Sequence, residues 1–421
     1  MYNDTLDAIL LIMQASLWGG AIYTIWRKNR LFGLFSMVLY LYLLPTEITY
    51  RFYHHFANDY WGRDVWYEFY GFVSLSLLTL FLFFKLSKSK KIVYNVVYNK
   101  NNNTKWIGWS IIIIYNIVTS YYLYTNIALI SYHSLVENGY EGFGLDTITI
   151  TDTLVKSIPA FVILPLLSLK NKTILTKVFI LYNIILFFSY AFITGNRSDM
   201  LAFFVAITLL WIYGRKLKLK QILYLGSFAI LFLYIAGQMS NLRGIESGSS
   251  LAETLLKQDY MAPAYNILGV QAKQIVAPMT VLSSNFHKLF PSMGGEWLYM
   301  VVGPKIFAFD VSASASAGFH SFTEGYLFAG FWGFLYNGII MGALVTLWYR
   351  FMRTNDDKYN RFMFALMGCL FFAIISRGQY IHYIRNIYMT FLPASFIYSQ
   401  LNNVGIHYLR FFHTYQTRHF K

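Results

Sequence analysis

Four arginines stand where apolar stretches give way to polar ones: Arg197 in TGNRSDM, Arg243 in GQMSNLRG, and Arg377 and Arg385 in ISRGQYIHYIRNIY. A guanidinium is a planar, permanently charged fork that can grip two oxygens of one phosphate. Gathered at one place, such groups would hold a pyrophosphate. The same polar breaks carry groups able to accept a proton: Glu324 in FHSFTEGYLFAGFWG, His320 ahead of it, and His382 between the last two arginines. An imidazole is partly unprotonated near neutrality and a carboxylate almost wholly so, and either can take the proton of an attacking hydroxyl. Asp199, two residues after Arg197, is placed to orient that arginine and to favour the start of the helix it opens. Each group also has an ordinary role open to it: a capped turn, a snorkelling arginine, a hydrogen-bonded structural histidine, or a cap or ion-pair partner for Glu324.

What must position these groups is a membrane. Of 421 residues, 57% are hydrophobic and 13% charged, against about 25% charged in an ordinary soluble domain. Apolar runs approach the roughly 20 residues that cross a bilayer. They predict about eleven transmembrane helices, near residues 6 to 26, 32 to 50, 67 to 86, 106 to 130, 153 to 169, 174 to 194, 199 to 214, 221 to 240, 322 to 348, 361 to 376 and 386 to 401. The expected fold is an all-α polytopic membrane protein, one integral domain over 1–421 with a large outer loop at 241–321. The sole cysteine, Cys369, excludes an internal disulfide framework.

Charge gives the orientation. Asp4 and Asp7 precede the first run while Arg27, Lys28 and Arg30 follow it, which argues against a cleavable leader and predicts an outer N-terminus and a cytoplasmic C-terminus. On that topology 23 of the 34 Lys and Arg fall inside, and of the 19 acids only Asp356 and Asp357 join them. The net charge of +15 is therefore sorted by side, and reads as topology and anionic-lipid contact rather than nucleic-acid binding. The four arginines, Asp199, Glu324 and both histidines then share the outer face. Within the spans charges are nearly absent, Glu47 beside Pro45 apart.

Other motifs carry less. There is no GxxxxGK[ST] phosphate loop and no HExxH helix, and no metal or cofactor is expected. TNDDKYN and NKNNNTK read as solvated cytoplasmic loops, SASASAG as a connector, and SLAETLLKQDYMAPAYNILGVQAKQIV as an amphipathic helix of the outer loop. Gly338 and Gly342 have the GxxxG spacing of close helix packing. Gly325, Gly330 and Gly333 serve the same end or let a helix approach a ligand.

The TGNRSDM hairpin, the outer loop running from NLRG to FTEGYLFAGFWG, and the paired arginines of SRGQYIHYIRN resemble bacterial O-antigen polymerases of the Wzy type. The span layout is similar over the whole chain, and the motifs over roughly residues 189 to 400. The resemblance implies a multi-pass enzyme of the bacterial inner membrane with a GT-C-like glycosyltransferase fold and an active site facing the periplasm. Such an enzyme would move a growing glycan from undecaprenyl pyrophosphate onto a new lipid-linked repeat unit. It implies Arg197, Arg243, Arg377 and Arg385 as pyrophosphate and sugar contacts, with Asp199 and His382 beside them, and Glu324 or His320 as base. A chain-length-regulating copolymerase is a further partner in keeping with it. An O-antigen ligase would use a similar site; a flippase for lipid-linked oligosaccharide would instead line a path through both halves of the bilayer.

Overall fold

The computed structural model describes residues 4–28, 63–86, 96–98, 104–130, 146–194, 197–213, 262–276, 321–352, 356–377 and 380–406, with single positions between. The expected runs 32–50 and 221–240 lie mostly outside the described residues. The rest is a helical bundle. We number its helices α1 (Asp4–Lys28), α2 (Arg63–Leu86), α3 (Lys105–Ile130), α4 (Asp146–Ile158), α5 (Ile174–Ile193), α6 (Arg197–Ile212), α7 (Ala262–Ala272), α8 (Ser321–Ala329), α9 (Gly333–Met352), α10 (Asp357–Arg377) and α11 (Tyr380–Asn386).

Two helices continue through wider turns. A π turn at Pro159–Ile163 leads α4 into Leu164–Leu167, and another at Ile387–Phe391 leads α11 into Leu392–Asn402. Each has a proline at its start or just beyond it, Pro159 and Pro393, and a proline removes one backbone donor and crowds the carbonyl four residues back. Widening the turn accommodates the ring.

By length and composition, five apolar helical runs among the described residues suffice to cross a membrane: Tyr67–Leu86, Lys105–Ile127, Ile150–Leu167, Ile174–Ile193 and Ser321–Leu344, the last of which contains a chain reversal at Gly330. Their outward faces are apolar too. Ile113, Ile117, Tyr121 and Tyr124 form an exposed stripe on α3, and Ile174, Val178, Leu181 and Ile185 one on α5. Water would penalise such stripes, whereas lipid chains accept them. The chain is a helical membrane protein.

Neighbour relations fix the directions. Gly338 of α9 packs against Thr79 and Leu80, and Gly342 against Phe83, so α2 and α9 run parallel, with a glycine where each backbone comes close. Arg361 Nε, near the start of α10, donates to the Leu210 carbonyl near the end of α6, and Leu209 fills the space a side chain would take at Gly368. These two helices are therefore antiparallel. Gly108 of α3 abuts Leu401, and the Phe362 and Tyr398 rings stack at 4.2 Å. In both of these pairs start meets end, so they too are antiparallel.

The single span expected over 322–348 needs amendment. Asn337 Nδ2 donates to the Phe322 carbonyl (3.1 Å), and Phe328 stacks on Tyr336 at 4.7 Å. Residues 15 apart in one straight helix would be over 20 Å apart. The chain instead reverses at Gly330, whose φ is +57°, and passes through a 3-10 turn, Gly330–Trp332, so α8 lies antiparallel on the first turns of α9. Apolar content reads straight through the reversal; the φ > 0 that glycine adopts without strain is what permits it. The GIIMG glycines, by contrast, do pack as their spacing suggests.

The all-α expectation holds among the described residues, with one short ribbon beside the helices. Val96–Tyr98 (β1) and Val404–Ile406 (β2) form an antiparallel two-stranded ribbon, with Val97 opposite Gly405. Beside it Thr104 N–H donates to Asn403 Oδ1 (3.0 Å) and Thr104 Oγ1 to the Gln400 carbonyl (3.2 Å). Part of the NKNNNTK segment is thus fastened to the end of the helix that finishes at Asn402. Asn403 itself is left-handed, with φ 52° and ψ 42°. Asn403→Ala is expected to lower the melting temperature in detergent, through about 1–2 kcal/mol of lost cap and backbone strain. Asn403→Gly, which relieves the strain, should cost less.

The segment expected as a long amphipathic helix contributes α7. Its Ile267, Leu268, Val270 and Gln271 are fully buried, and α7 packs against α2 and α8. At TNDDKYN, Asp356 Oδ1 accepts from the Lys358 (2.7 Å) and Tyr359 (3.3 Å) amides, so this acid caps the N-terminus of α10.

Candidate functional site

Antiparallel packing brings the first residue of α6, Arg197, and the last of α10, Arg377, to the same end of the bundle. Helix α11, which carries His382 and Arg385, begins three residues later at Tyr380. The Tyr380 amide donates to Glu324 Oε2 (2.7 Å), which joins α8 to this end. Of the expected site residues, the backbones of Arg197, Arg377 and His382 and the whole of Asp199, Glu324 and Arg385 are described. Arg243 and His320 lie outside the described residues.

Glu324 is 3% exposed. A carboxylate so deep needs donors, and each of its oxygens has one: Oε2 the Tyr380 N–H, Oε1 the Tyr336 hydroxyl (3.3 Å). The network continues through Tyr380, whose hydroxyl donates to Asn337 Oδ1 (3.0 Å), and through Asn337 Nδ2 to Ser76 Oγ (3.3 Å). Two residues beyond Glu324 on α8, Tyr326 repeats the motif on a smaller scale: its hydroxyl donates to Glu68 Oε1 of α2 (2.8 Å). Arg385 Nε donates to Met389 Sδ (3.1 Å), a weak acceptor one turn along.

A second polar group adjoins the start of α6. Lys156 Nζ lies 2.6 Å from Asp152 Oδ2 and 3.7 Å from Asp199 Oδ2, and the Tyr190 hydroxyl donates to Asp152 Oδ1 (2.8 Å). The partner the structure gives Asp199 is thus a lysine from a different helix. It also amends the expectation of nearly charge-free spans, since Asp152 and Lys156 both fall inside the apolar run Ile150–Leu167. Lys156→Met would leave two facing carboxylates without their shared cation. Buried pairs broken this way lose about 3–5 kcal/mol and exposed ones under about 1. With Lys156 about a third exposed, a loss of roughly 2 kcal/mol is expected, read as a lower melting temperature that Asp199→Asn in the same chain partly restores.

Sequence reasoning missed Lys156, Asp152 and Tyr190, and also Tyr336, Asn337, Tyr380 and Glu68. The i, i+4 spacing of Asp152 and Lys156 was a usable signal. The tyrosines gave none, being three among the 35 of the chain.

The arrangement can do three things chemically. It can present cationic helix ends to an anion at one face, hold a carboxylate in a dry place, and keep both in register through hydrogen bonds among α2, α8, α9 and α11. Comparison with family models, with curated proteins and with solved structures gives no match to this chain.

Proposed function

We propose that this protein is a membrane glycosyltransferase that polymerises lipid-linked oligosaccharide repeat units at the outer face of the bacterial cytoplasmic membrane. The observation that carries the reading is the meeting of the Arg197 and Arg377 helix ends at the end of the bundle where Glu324 and α11 join them. The charge sorting along the sequence supports assigning that end to the periplasmic side.

The reaction would break the bond between the anomeric carbon of the growing glycan and an oxygen of undecaprenyl pyrophosphate, and form one from that carbon to an acceptor hydroxyl. The hydroxyl proton passes to a base, and the lipid pyrophosphate leaves with the bonding electrons. Negative charge grows on the departing oxygens, and preorganised guanidiniums stabilise it most where water is scarce. Arg197, Arg377, Arg385 and Arg243 are the assigned contacts, with Asp199 and His382 beside them and His320 or Glu324 as the candidate acceptor of the proton. The lipid pyrophosphate itself supplies the driving force.

One alternative has an observation in its favour. The reversed pair α8–α9 and the Lys156 cluster within a span are features that transporters use to bind substrate at depth, so a flippase for the same lipid-linked sugar is the second reading. The surface glycan profile of cells lacking the protein separates the two. Polymerase loss is expected to leave lipid A core bearing one repeat unit and no longer ladder. Single units stranded on the cytoplasmic side would instead mean a flippase, and polymer stranded outside, off the core, a ligase.

A further inference from the structure

We propose that Glu324 is a positioning residue, the latch that fixes the start of α11 and with it His382 and Arg385, rather than the group that takes the acceptor proton; this rests on the reading of the site given above. A base must turn a free lone pair towards its substrate. Glu324 is turned inward: Oε2 is bonded to a backbone amide, Oε1 to a tyrosine hydroxyl, and the side chain is all but enclosed. A backbone amide at the first residue of a helix has no partner within that helix, and an anion there is favoured both as acceptor and by the helix dipole. Glu324 supplies that anion from 56 residues away.

Both ends of the latch are held. On its own side Glu324 sits in α8, pinned to α9 by the Asn337–Phe322 bond and by the Phe328–Tyr336 stack. On the other, the Tyr380 hydroxyl is bonded to Asn337, and its ring packs edge-on against Tyr336 at 5.4 Å. The carboxylate therefore connects a rigid reversed helix pair to the first turn of the helix bearing two of the assigned site residues. Below that turn, α11 runs into its π segment at Ile387–Phe391, where the regular α-helical hydrogen-bond pattern is interrupted. With the α pattern interrupted on one side, the orientation of residues 380–386 depends on the cap at the other.

Two chemistries separate a latch from a base. Glutamine keeps an acceptor oxygen for the Tyr380 amide but cannot take a proton at working pH, whereas alanine loses both. The experiment is hydrogen exchange on the full chain in nanodiscs, read on peptides covering residues 380–386, alongside the glycan ladder made in cells. Glu324→Ala is expected to speed exchange of that segment about tenfold or more while α2 and α10 stay protected, and to shorten or erase the ladder. Glu324→Gln should restore protection and most of the ladder. Tyr336→Phe, which removes the other donor alone, should leave the segment protected.

If Glu324→Ala fails to accumulate, Glu324→Asp, which draws the carboxylate back by one methylene, should give the same local deprotection to a smaller degree. Unchanged exchange in the alanine or aspartate variant overturns the latch. So does a glutamine variant that is protected yet makes no polymer, because that is the signature of a base. Should the polymerase reading fail, with a normal ladder in cells lacking the protein, the exchange data still decide the latch.

Discussion

Arg197→Ala and Arg377→Ala are each expected to abolish long polymer, cutting chain extension by about 10²- to 10³-fold, while the protein still accumulates in the membrane. That is the usual cost of removing one donor to a developing oxyanion, about 3–4 kcal/mol of transition-state stabilisation. The positions are helix ends, Arg197 opening α6 and Arg377 closing α10. Arg→Lys at either site keeps the charge and loses the fork, and an intermediate ladder is expected. The measurement is the length distribution of surface glycan, normalised to protein in the membrane fraction. Near-normal ladders from both alanine variants would remove the proposed pyrophosphate site and leave these arginines as interfacial anchors.

Gly333→Ala carries the largest expected effect on stability. A methyl there would overlap the Gly325 carbonyl and stand 2.8 Å from the Tyr326 amide nitrogen, all backbone atoms that no rotamer change can move. Helices α8 and α9 would have to part, at the 1–3 kcal/mol typical of overpacking, and the Glu324–Tyr336 bond would stretch with them at a further cost of about 1.5–3 kcal/mol for a charged acceptor. A total of about 4 kcal/mol should strip most folded protein from a detergent extract, followed by size-exclusion melting. Gly330→Ala is the contrast: its neighbourhood is empty within 4 Å, and the penalty is the left-handed backbone alone, about 1 kcal/mol. Equal melting of wild type and Gly333→Ala would mean that α8 does not fold back on α9.

How much was legible follows from which forces leave a mark in composition. Lipid selects apolar runs of fixed length, so Tyr67–Leu86 and Ile174–Ile193 emerge within a residue or two of their observed limits. Close packing demands glycine at a helical interval, and Gly338 and Gly342 gave themselves away. A reversal inside an apolar run leaves hydropathy unchanged; only the spacing of Gly325, Gly330 and Gly333 hinted at it, and those glycines were read as packing or ligand approach. At the site, outer-face charges at helix ends were visible as charges, so Arg197, Arg377 and Glu324 could be grouped. Their partners were not, because Tyr336, Tyr380 and Asn337 are ordinary residues made specific by contacts 12 to 56 residues away in the chain.

The strands at Val96–Tyr98 and Val404–Ile406 also impose an order on biosynthesis. Thr104 and its partner Asn403 are 299 residues apart, and at 5–20 residues per second a ribosome needs roughly 15–60 s to make that stretch. Throughout that wait the entry of α3 into the bilayer has no cap and β1 no partner. The ribbon closes only when the helix ending at Asn402 has been delivered. A nascent chain halted before Val404 would keep an unpaired strand edge in reach of proteases and chaperones, so delivery of Val404–Ile406 and concealment of that edge are one event.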